Sequence, residues 1–168
     1  SGTLITFPTL LAVGLPTVGA NVANNIGLVP GSVTGVWGYR RELAGQRSRV
    51  RSLAVGSVLG SLVGATLLLT LPSSVFDAVV PVLVLLACVL MAVQPRLAAR
   101  VAARRTPDAR DVGPLAVFLV FLTGIYGGYF GAGLSVIVLA VLALVIDDSL
   151  TRLNGLKQVV GFVTNLTA

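Results

Sequence analysis

Long apolar runs separated by short polar links dominate the pattern of hydrophobic and polar positions along this chain. A helix needs roughly 20 apolar residues to cross about 30 Å of hydrocarbon. Three runs approach that length and predict transmembrane helices: 22–39, 53–71 and 75–93. The link Pro72-Ser73-Ser74 predicts a tight turn between the last two, with Ser74 capping the following helix and Asp77 completing a capping box.

A fourth apolar stretch, 114–146, is too long for one ordinary span and is interrupted by a glycine-rich segment at 124–133. As a single straight helix it would be about 50 Å long. Its two arms, 114–123 and 134–146, are close to the length of segments that enter the membrane and return on the same side. We therefore predict a re-entrant hairpin with the glycine-rich segment at its tip. One tilted, kinked helix is the alternative.

Arginine positions indicate how the predicted helices are oriented. Five arginines lie in 40–51 and five in 96–110, and few acidic residues accompany them. Short loops rich in arginine stay on the cytoplasmic side of a membrane. Because an even number of predicted spans separates the two windows, both loops are expected on that side.

Composition agrees with a membrane protein and excludes several other classes. Hydrophobic residues make up 55% of the 168 residues and charged residues 11%, which is far too apolar for a soluble domain. Most of the basic residues behind the net charge of +6 lie in the two arginine windows, without an aromatic platform beside them, so we predict no nucleic-acid partner. With no His and only one Cys, the chain offers no ligand set for zinc, and we predict no metal and no other cofactor.

An internal repeat relates the two ends of the chain. The segment 10–26 resembles 143–159 at an offset of 133 residues. Three polar pairs fall in register: Asn21 with Asn154, Asn24 with Lys157 and Asn25 with Gln158. We predict an all-α polytopic membrane protein with inverted structural repeats, each a re-entrant hairpin plus transmembrane helices.

The repeat divides a single transmembrane domain, 1–168, into three parts. These are repeat 1 at 1–93, a basic cytoplasmic linker at 94–113, and repeat 2 at 114–168. Repeat 1 is expected to lack a glycine-rich arm at its N-terminus and repeat 2 to lack helices at its C-terminus, since the offset maps those elements beyond the ends of the chain.

Three motifs carry a resemblance to a known family. They are Gly127-Gly128-Tyr129-Phe130-Gly131-Ala132-Gly133, Leu153-Asn154-Gly155-Leu156-Lys157-Gln158 and Ala20-Asn21-Val22-Ala23-Asn24-Asn25. In this ordered set the chain resembles the sulfite exporter TauE/SafE family. The resemblance implies a multi-pass permease of the plasma membrane that moves sulfite, sulfonates or related organosulfur anions out of the cell.

Polar groups inside the apolar segments are the candidates for binding such an anion. Broken helices expose backbone N–H groups, and amides or a cation within a span are costly unless they face a partner or a cavity. The predicted substrate-binding residues are Asn24, Asn25, Gly127, Gly128, Gly131, Gly133, Lys157, Gln158 and Asn165.

Each of these residue types also has a structural interpretation, which the sequence leaves open. The glycines can let helices pack closely, and the asparagines can join helices by hydrogen bonds. Lys157 can extend to the membrane surface. Asn21 and Asn154 can cap their own helices.

The predicted function is a secondary transporter that works by alternating access, with a small anion and the lipid bilayer as partners. An anion channel is one alternative, and a non-transporting membrane subunit or an intramembrane enzyme is another. The enzyme has less support, because the apolar segments lack paired carboxylates, His and metal ligands. Homo-oligomerisation, the anion transported, the coupling ion and the direction of transport are left open.

The orientation predicts which loops a membrane-impermeant thiol reagent reaches. In a chain with Cys88 replaced by Ser, a cysteine at Ser48 or Ala103 should be labelled only from the cytoplasmic side, because each position lies among arginines. A cysteine at Ser73 should be labelled only from the opposite side. Labelling of Ser48→Cys from outside the cell would reverse the orientation.

Overall fold

The structure is a computed structural model that describes residues 3–103, 112–146 and 148–168, and all the regular secondary structure in these ranges is helical. Long apolar runs explain this outcome, even though Pro8, Pro30, Pro81 and Pro95 lie inside helices. The helices are α1 (Thr3–Ala12), α2 (Thr17–Gly38), α3 (Arg47–Thr70), α4 (Ser73–Ala103), α5 (Pro114–Tyr129), α6 (Leu134–Val145) and α7 (Leu150–Thr167).

The closest helix pair is α3 with α5, whose backbones meet through glycines. A Cβ atom at Gly60 or Gly64 of α3 would overlap a backbone carbonyl oxygen of α5. Gly128 of α5 in turn packs against the backbone of Ser61. Small residues of this kind allow helices to approach closely in a membrane, where lipid supplies no hydrophobic force between them.

These contacts also show that α3 and α5 are parallel. Gly56 lies against Val117 and Gly60 against Phe121, so the contact positions advance together along both helices. The start of α5 is therefore at the same end of the molecule as the start of α3.

Between α5 and α6 the chain turns back on itself. The two helices have 16 and 12 residues, or about 24 and 18 Å, and residues 130–133 separate them. Asp148, just after α6, accepts a hydrogen bond from Arg49 in the first turn of α3, with 2.8 Å between Nη1 and Oδ2. Since α5 also starts at that end, the stretch 114–146 is a helical hairpin and not one continuous helix.

Helices α2 and α7 cross in opposite directions. Asn165 Nδ2 donates to Ser32 Oγ at 3.1 Å, and Gly35 lies against the side chain of Gln158. Later residues of α2 thus meet earlier residues of α7, so the two helices are antiparallel. Helix α1 ends 133 residues before α6 ends, and α2 begins 133 residues before α7 begins. Ser32 and Asn165 are separated by the same offset.

Within the described ranges, two helices are long and apolar enough to cross a membrane: α3, and the part of α4 at residues 73–93. They correspond to the predicted runs 53–71 and 75–93. Helix α2 contains the third run, 22–39, except for its last residue. With 22 residues it has the length of a span, but its three asparagines leave it less apolar than the two spans just named. The predicted linker, 94–113, is not wholly irregular, because α4 continues to Ala103; residues 104–111 lie outside the described ranges.

The predicted capping box is wrong, and neither Asn21 nor Asn154 caps a helix. Helix α4 begins at Ser73, so Ser74 lies inside it, and the carboxylate of Asp77 accepts a hydrogen bond from the hydroxyl of Thr17 at the start of α2. Asn21 lies inside α2, which follows Pro16 without a side-chain cap. Ser149 caps α7 instead of Asn154, with its Oγ accepting from the backbone N–H of Arg152 at 3.4 Å.

Replacement of glycine by alanine should have opposite effects on stability at Gly60, which lies in the α3–α5 contact, and at Gly27, which has open space around it. Gly60→Ala should lower the free energy of unfolding by about 1–3 kcal/mol, because its Cβ would overlap the Phe121 carbonyl oxygen. Gly27→Ala is the control, since no atom lies within 4 Å of a Cβ there, and alanine should stabilise that helix by up to about 1 kcal/mol. Thermal unfolding of the detergent-solubilised protein by circular dichroism measures both. Equal melting temperatures would show that the α3–α5 contact can relax.

Candidate functional site

A partly enclosed cavity of about 140 Å³ lies where α2 and α7 meet the hairpin of α5 and α6. Four elements contribute its walls: the first residue of α1, the middle of α2, the region where α6 begins, and the inner face of α7. The lining residues are Thr3, Leu28, Ser32, Gly131, Gly133, Leu134, Ser135, Val138, Lys157, Gln158, Gly161 and Asn165.

Five of the nine sequence-predicted residues line this cavity, namely Gly131, Gly133, Lys157, Gln158 and Asn165. Two more lie beside it. The Asn24 side chain hydrogen-bonds to Thr3, with 3.3 Å between Nδ2 and Oγ1, and to Thr6, so it joins α2 to α1. Asn25 is buried, and its Oδ1 is 3.7 Å from the position that a Cβ on Gly131 would take.

The remaining two predicted residues, Gly127 and Gly128, are in helix contacts. Gly127 leaves room for Thr164 of α7 and Leu134 of α6, and Gly128 packs on the backbone of α3 at Ser61. For these two glycines the geometry favours the packing interpretation. Thr164 is likewise directed to α3, since its hydroxyl is 2.7 Å from that of Ser57.

The break between α5 and α6 has a backbone that glycine favours. Gly131 and Gly133 have φ angles of 75° and 72°, in the left-handed region where other residues are strained. Two side chains fix the carbonyl groups around the break. The Tyr126 hydroxyl donates to the Ala132 oxygen at 2.6 Å, and Asn21 Nδ2 donates to the Tyr129 oxygen at 3.0 Å.

Backbone donors remain at the start of α6. The first N–H groups of any helix lack a partner within that helix, and they carry its positive dipole end. Among the described residues no carbonyl accepts from the N–H groups of Gly133 or Ser135, although both residues line the cavity. The start of α1 also lies at this cavity, because Thr3, the first residue of α1, is one of the lining residues.

Lys157 is the one cation among the described residues of the cavity wall. The residue is only partly exposed, and within the described part of the chain its ammonium has no hydrogen-bond or ion-pair partner. None of the described lining residues is acidic. In the described ranges no group of His, Cys, Asp and Glu side chains could hold a metal ion. The arrangement therefore suits an anion better than a cation.

Sequence reasoning missed several lining residues, notably Ser32, Thr3 and Ser135. A signal was available for one of them. The repeat offset of 133 maps Asn165 onto Ser32, and these two side chains are hydrogen-bonded to each other. Leu28 and Gly161 are also related by this offset, and both line the cavity.

Comparison with protein-family models gives one informative match. The model described as "Sulfite exporter TauE/SafE" matches residues 1–168, the whole chain. Comparisons with curated proteins and with solved structures returned no significant match.

The hydrogen bond from the Tyr126 hydroxyl to the Ala132 carbonyl should stabilise the break between α5 and α6. Tyr126→Phe should lower the free energy of unfolding by about 1–3 kcal/mol, because the Ala132 carbonyl loses its hydroxyl donor. Tyr129→Phe is the matched control, since no partner is bound to its hydroxyl within the described residues; its effect should stay within about 0.5 kcal/mol. Both are measured by thermal unfolding in detergent. Equal losses for the two variants would assign the effect to general packing of the rings.

Proposed function

Because the chain belongs to the sulfite exporter TauE/SafE family, whose members are membrane permeases, we propose that it is a secondary transporter that exports small anions, such as sulfite, sulfonates or related organosulfur compounds. The cavity between α2, α6 and α7 is the proposed binding site. The protein is expected in the plasma membrane as a multi-pass protein, and it is not an enzyme in this proposal.

The observation that carries the proposal is the ammonium of Lys157, which has no partner among the described residues and lines the same cavity as the start of α6. A partly buried charge without a counterion is costly in a membrane. An anion in the cavity would remove that cost, and the dipole of α6 would add to the attraction. The ammonium of Lys157 and the dipole of α6 thus both favour a negatively charged ligand in this site.

Neutral donors would complete the binding of an oxyanion. The amides of Gln158 and Asn165 and the N–H groups of Gly133 and Ser135 all belong to lining residues. Sulfite and sulfonate groups offer several oxygen acceptors, which suits such a ring of donors. The cavity volume of about 140 Å³ is below the roughly 300–1,000 Å³ typical for drug-sized ligands, which favours a small anion.

Inverted repeats are the proposed basis of alternating access. Helices α1 and α2 would correspond to α6 and α7, which is supported by the shared offset of 133 and by the opposite directions of α2 and α7. Two helices related by a two-fold axis meet at equivalent residues, as Ser32 and Asn165 do. A site between repeats can open to either side as one repeat moves against the other.

The hairpin of α5 and α6 is proposed to enter the membrane from the cytoplasmic side and to return there. Its two ends lie at the arginine-rich start of α3, and each arm is shorter than the hydrocarbon thickness. Its tip, at residues 130–133, would then lie inside the membrane. Irregular backbone is tolerated at that depth where it is buried in protein or lines a cavity.

Replacement of Lys157 tests the site. Lys157→Gln should weaken sulfite binding on the order of ten- to a hundredfold, because a charge-assisted hydrogen bond of about 1.5–3 kcal/mol is lost. Arg152→Gln is the control: it removes one positive charge from the same helix, but Arg152 pairs with Asp148 and does not line the cavity. The measurement is counterflow of labelled sulfite in proteoliposomes, with affinity taken from its concentration dependence.

Two results would contradict the proposal. Sulfite affinity unchanged within twofold in Lys157→Gln would make this residue a membrane-surface anchor. Flux in the unaltered protein that neither saturates nor supports counterflow would make the protein a channel instead of a carrier.

A further inference from the structure

A second polar feature lies at the start of α3 and shares no lining residue with the cavity. It is an open groove of about 610 Å³ between α3 and α5. Its rim is basic and hydroxylic, and its floor is apolar. The lining residues are Arg47, Ser48, Arg51, Ser52, Val55 and Val117. We refer to it below as the α3–α5 groove.

The two arginines of the groove are free to bind an anion. Arg47 and Arg51 are exposed and one helical turn apart, so both guanidinium groups lie on the same side of α3. Within the described ranges neither forms an ion pair or a hydrogen bond. Arg49 is different, since it is buried on the other side of α3 and bound to Asp148.

An exposed apolar track continues from the groove along both helices. Val55 is 58% exposed and is followed one turn later by exposed Leu59, while Phe118 of α5 is 55% exposed and is followed by exposed Leu122. Because α3 and α5 are parallel, these side chains lead away from the arginines in the same direction. Helix α3 is apolar and long enough to span a membrane, so this direction leads into the hydrocarbon.

Like this surface, a phospholipid is charged at one end and apolar along the rest of its length. Its phosphate lies at the membrane interface, where the predicted orientation places Arg47 and Arg51, and its acyl chains extend into the hydrocarbon. Serine hydroxyls at the rim can donate to phosphate or glycerol oxygens. A free inorganic anion would use the rim but would leave the apolar track without a partner.

We propose that the α3–α5 groove binds an anionic phospholipid, with the headgroup phosphate between Arg47 and Arg51 and an acyl chain along Val55 and Val117. The bound lipid bridges the first half of the chain, through α3, and the second half, through α5. This site is independent of the proposed transport function, since none of its residues lines the anion cavity.

Native mass spectrometry of the full chain tests the proposal. The protein is released from zwitterionic detergent after titration with dioleoyl-phosphatidylglycerol, and dioleoyl-phosphatidylcholine serves as the neutral lipid. Phosphatidylglycerol should bind at one preferred site, and Arg47→Gln/Arg51→Gln should weaken it roughly 10- to 30-fold, since each arginine near the surface contributes a severalfold effect. Arg41→Gln/Arg96→Gln should bind as the unaltered chain does, because it removes the same charge from two arginines outside the groove.

Three outcomes would overturn the proposal. Equal weakening by the two double variants would indicate a diffuse basic surface. Equal binding of phosphatidylcholine would remove the role of the arginines. Displacement of the lipid by millimolar inorganic phosphate, or equal binding of glycerophosphoglycerol without acyl chains, would indicate a site for a free anion.

Discussion

Direct backbone contact between α3 and α5 determines where the other helices lie. Two helices in lipid gain little from apolar side chains, because the lipid itself is apolar, so their association relies on close packing and hydrogen bonds. Gly60 and Gly128 remove the side chains that would hold the two backbones apart. Once α5 is fixed on α3, α7 is held by the hydroxyls of Ser57 and Thr164, and α6 packs against both α5 and α7.

A second constraint follows from the hairpin, because a broken helix leaves backbone groups that water cannot reach. Tyr126 and Asn21 supply donors for two carbonyl groups near the break. Within the described part of the chain, N–H groups at the start of α6 remain without an acceptor, on residues that line the cavity. The proposed binding site is thus the place where the fold leaves its own donors unused, next to a cation that has no counterion in the described structure.

Much of this architecture is predictable from the sequence, for identifiable reasons. The lengths of the runs at 53–71 and 75–93 are fixed by membrane thickness, so α3 and α4 occur where expected. The repeat offset points to Lys157 and Gln158, which both line the cavity, although their counterparts Asn24 and Asn25 lie beside it. The family assignment follows from the ordered motifs and is confirmed over the whole chain.

The unpredicted features depend on which helices become neighbours. Glycines spaced by four occur in α3 and in α5, but spacing alone does not say that one will pack on the other. An amide such as Asn21 can cap its own helix or reach another one, and only the position of Tyr129 decides for the second. Ser32 could be found only through the repeat offset, since its partner Asn165 is 133 residues away.

The parallel pairing of α3 with α5 also has a consequence for how the protein is made. Helix α3 is synthesised well before α5, and a chain grows at about 5–20 residues per second, so the glycine face of α3 stays without its partner for several seconds. During that time α3 and α4, which barely touch each other in the finished fold, depend on their own hydrophobicity to stay in the membrane. Both helices are more apolar than α2, and this allows them to remain inserted in the membrane until the second half of the chain has been synthesised.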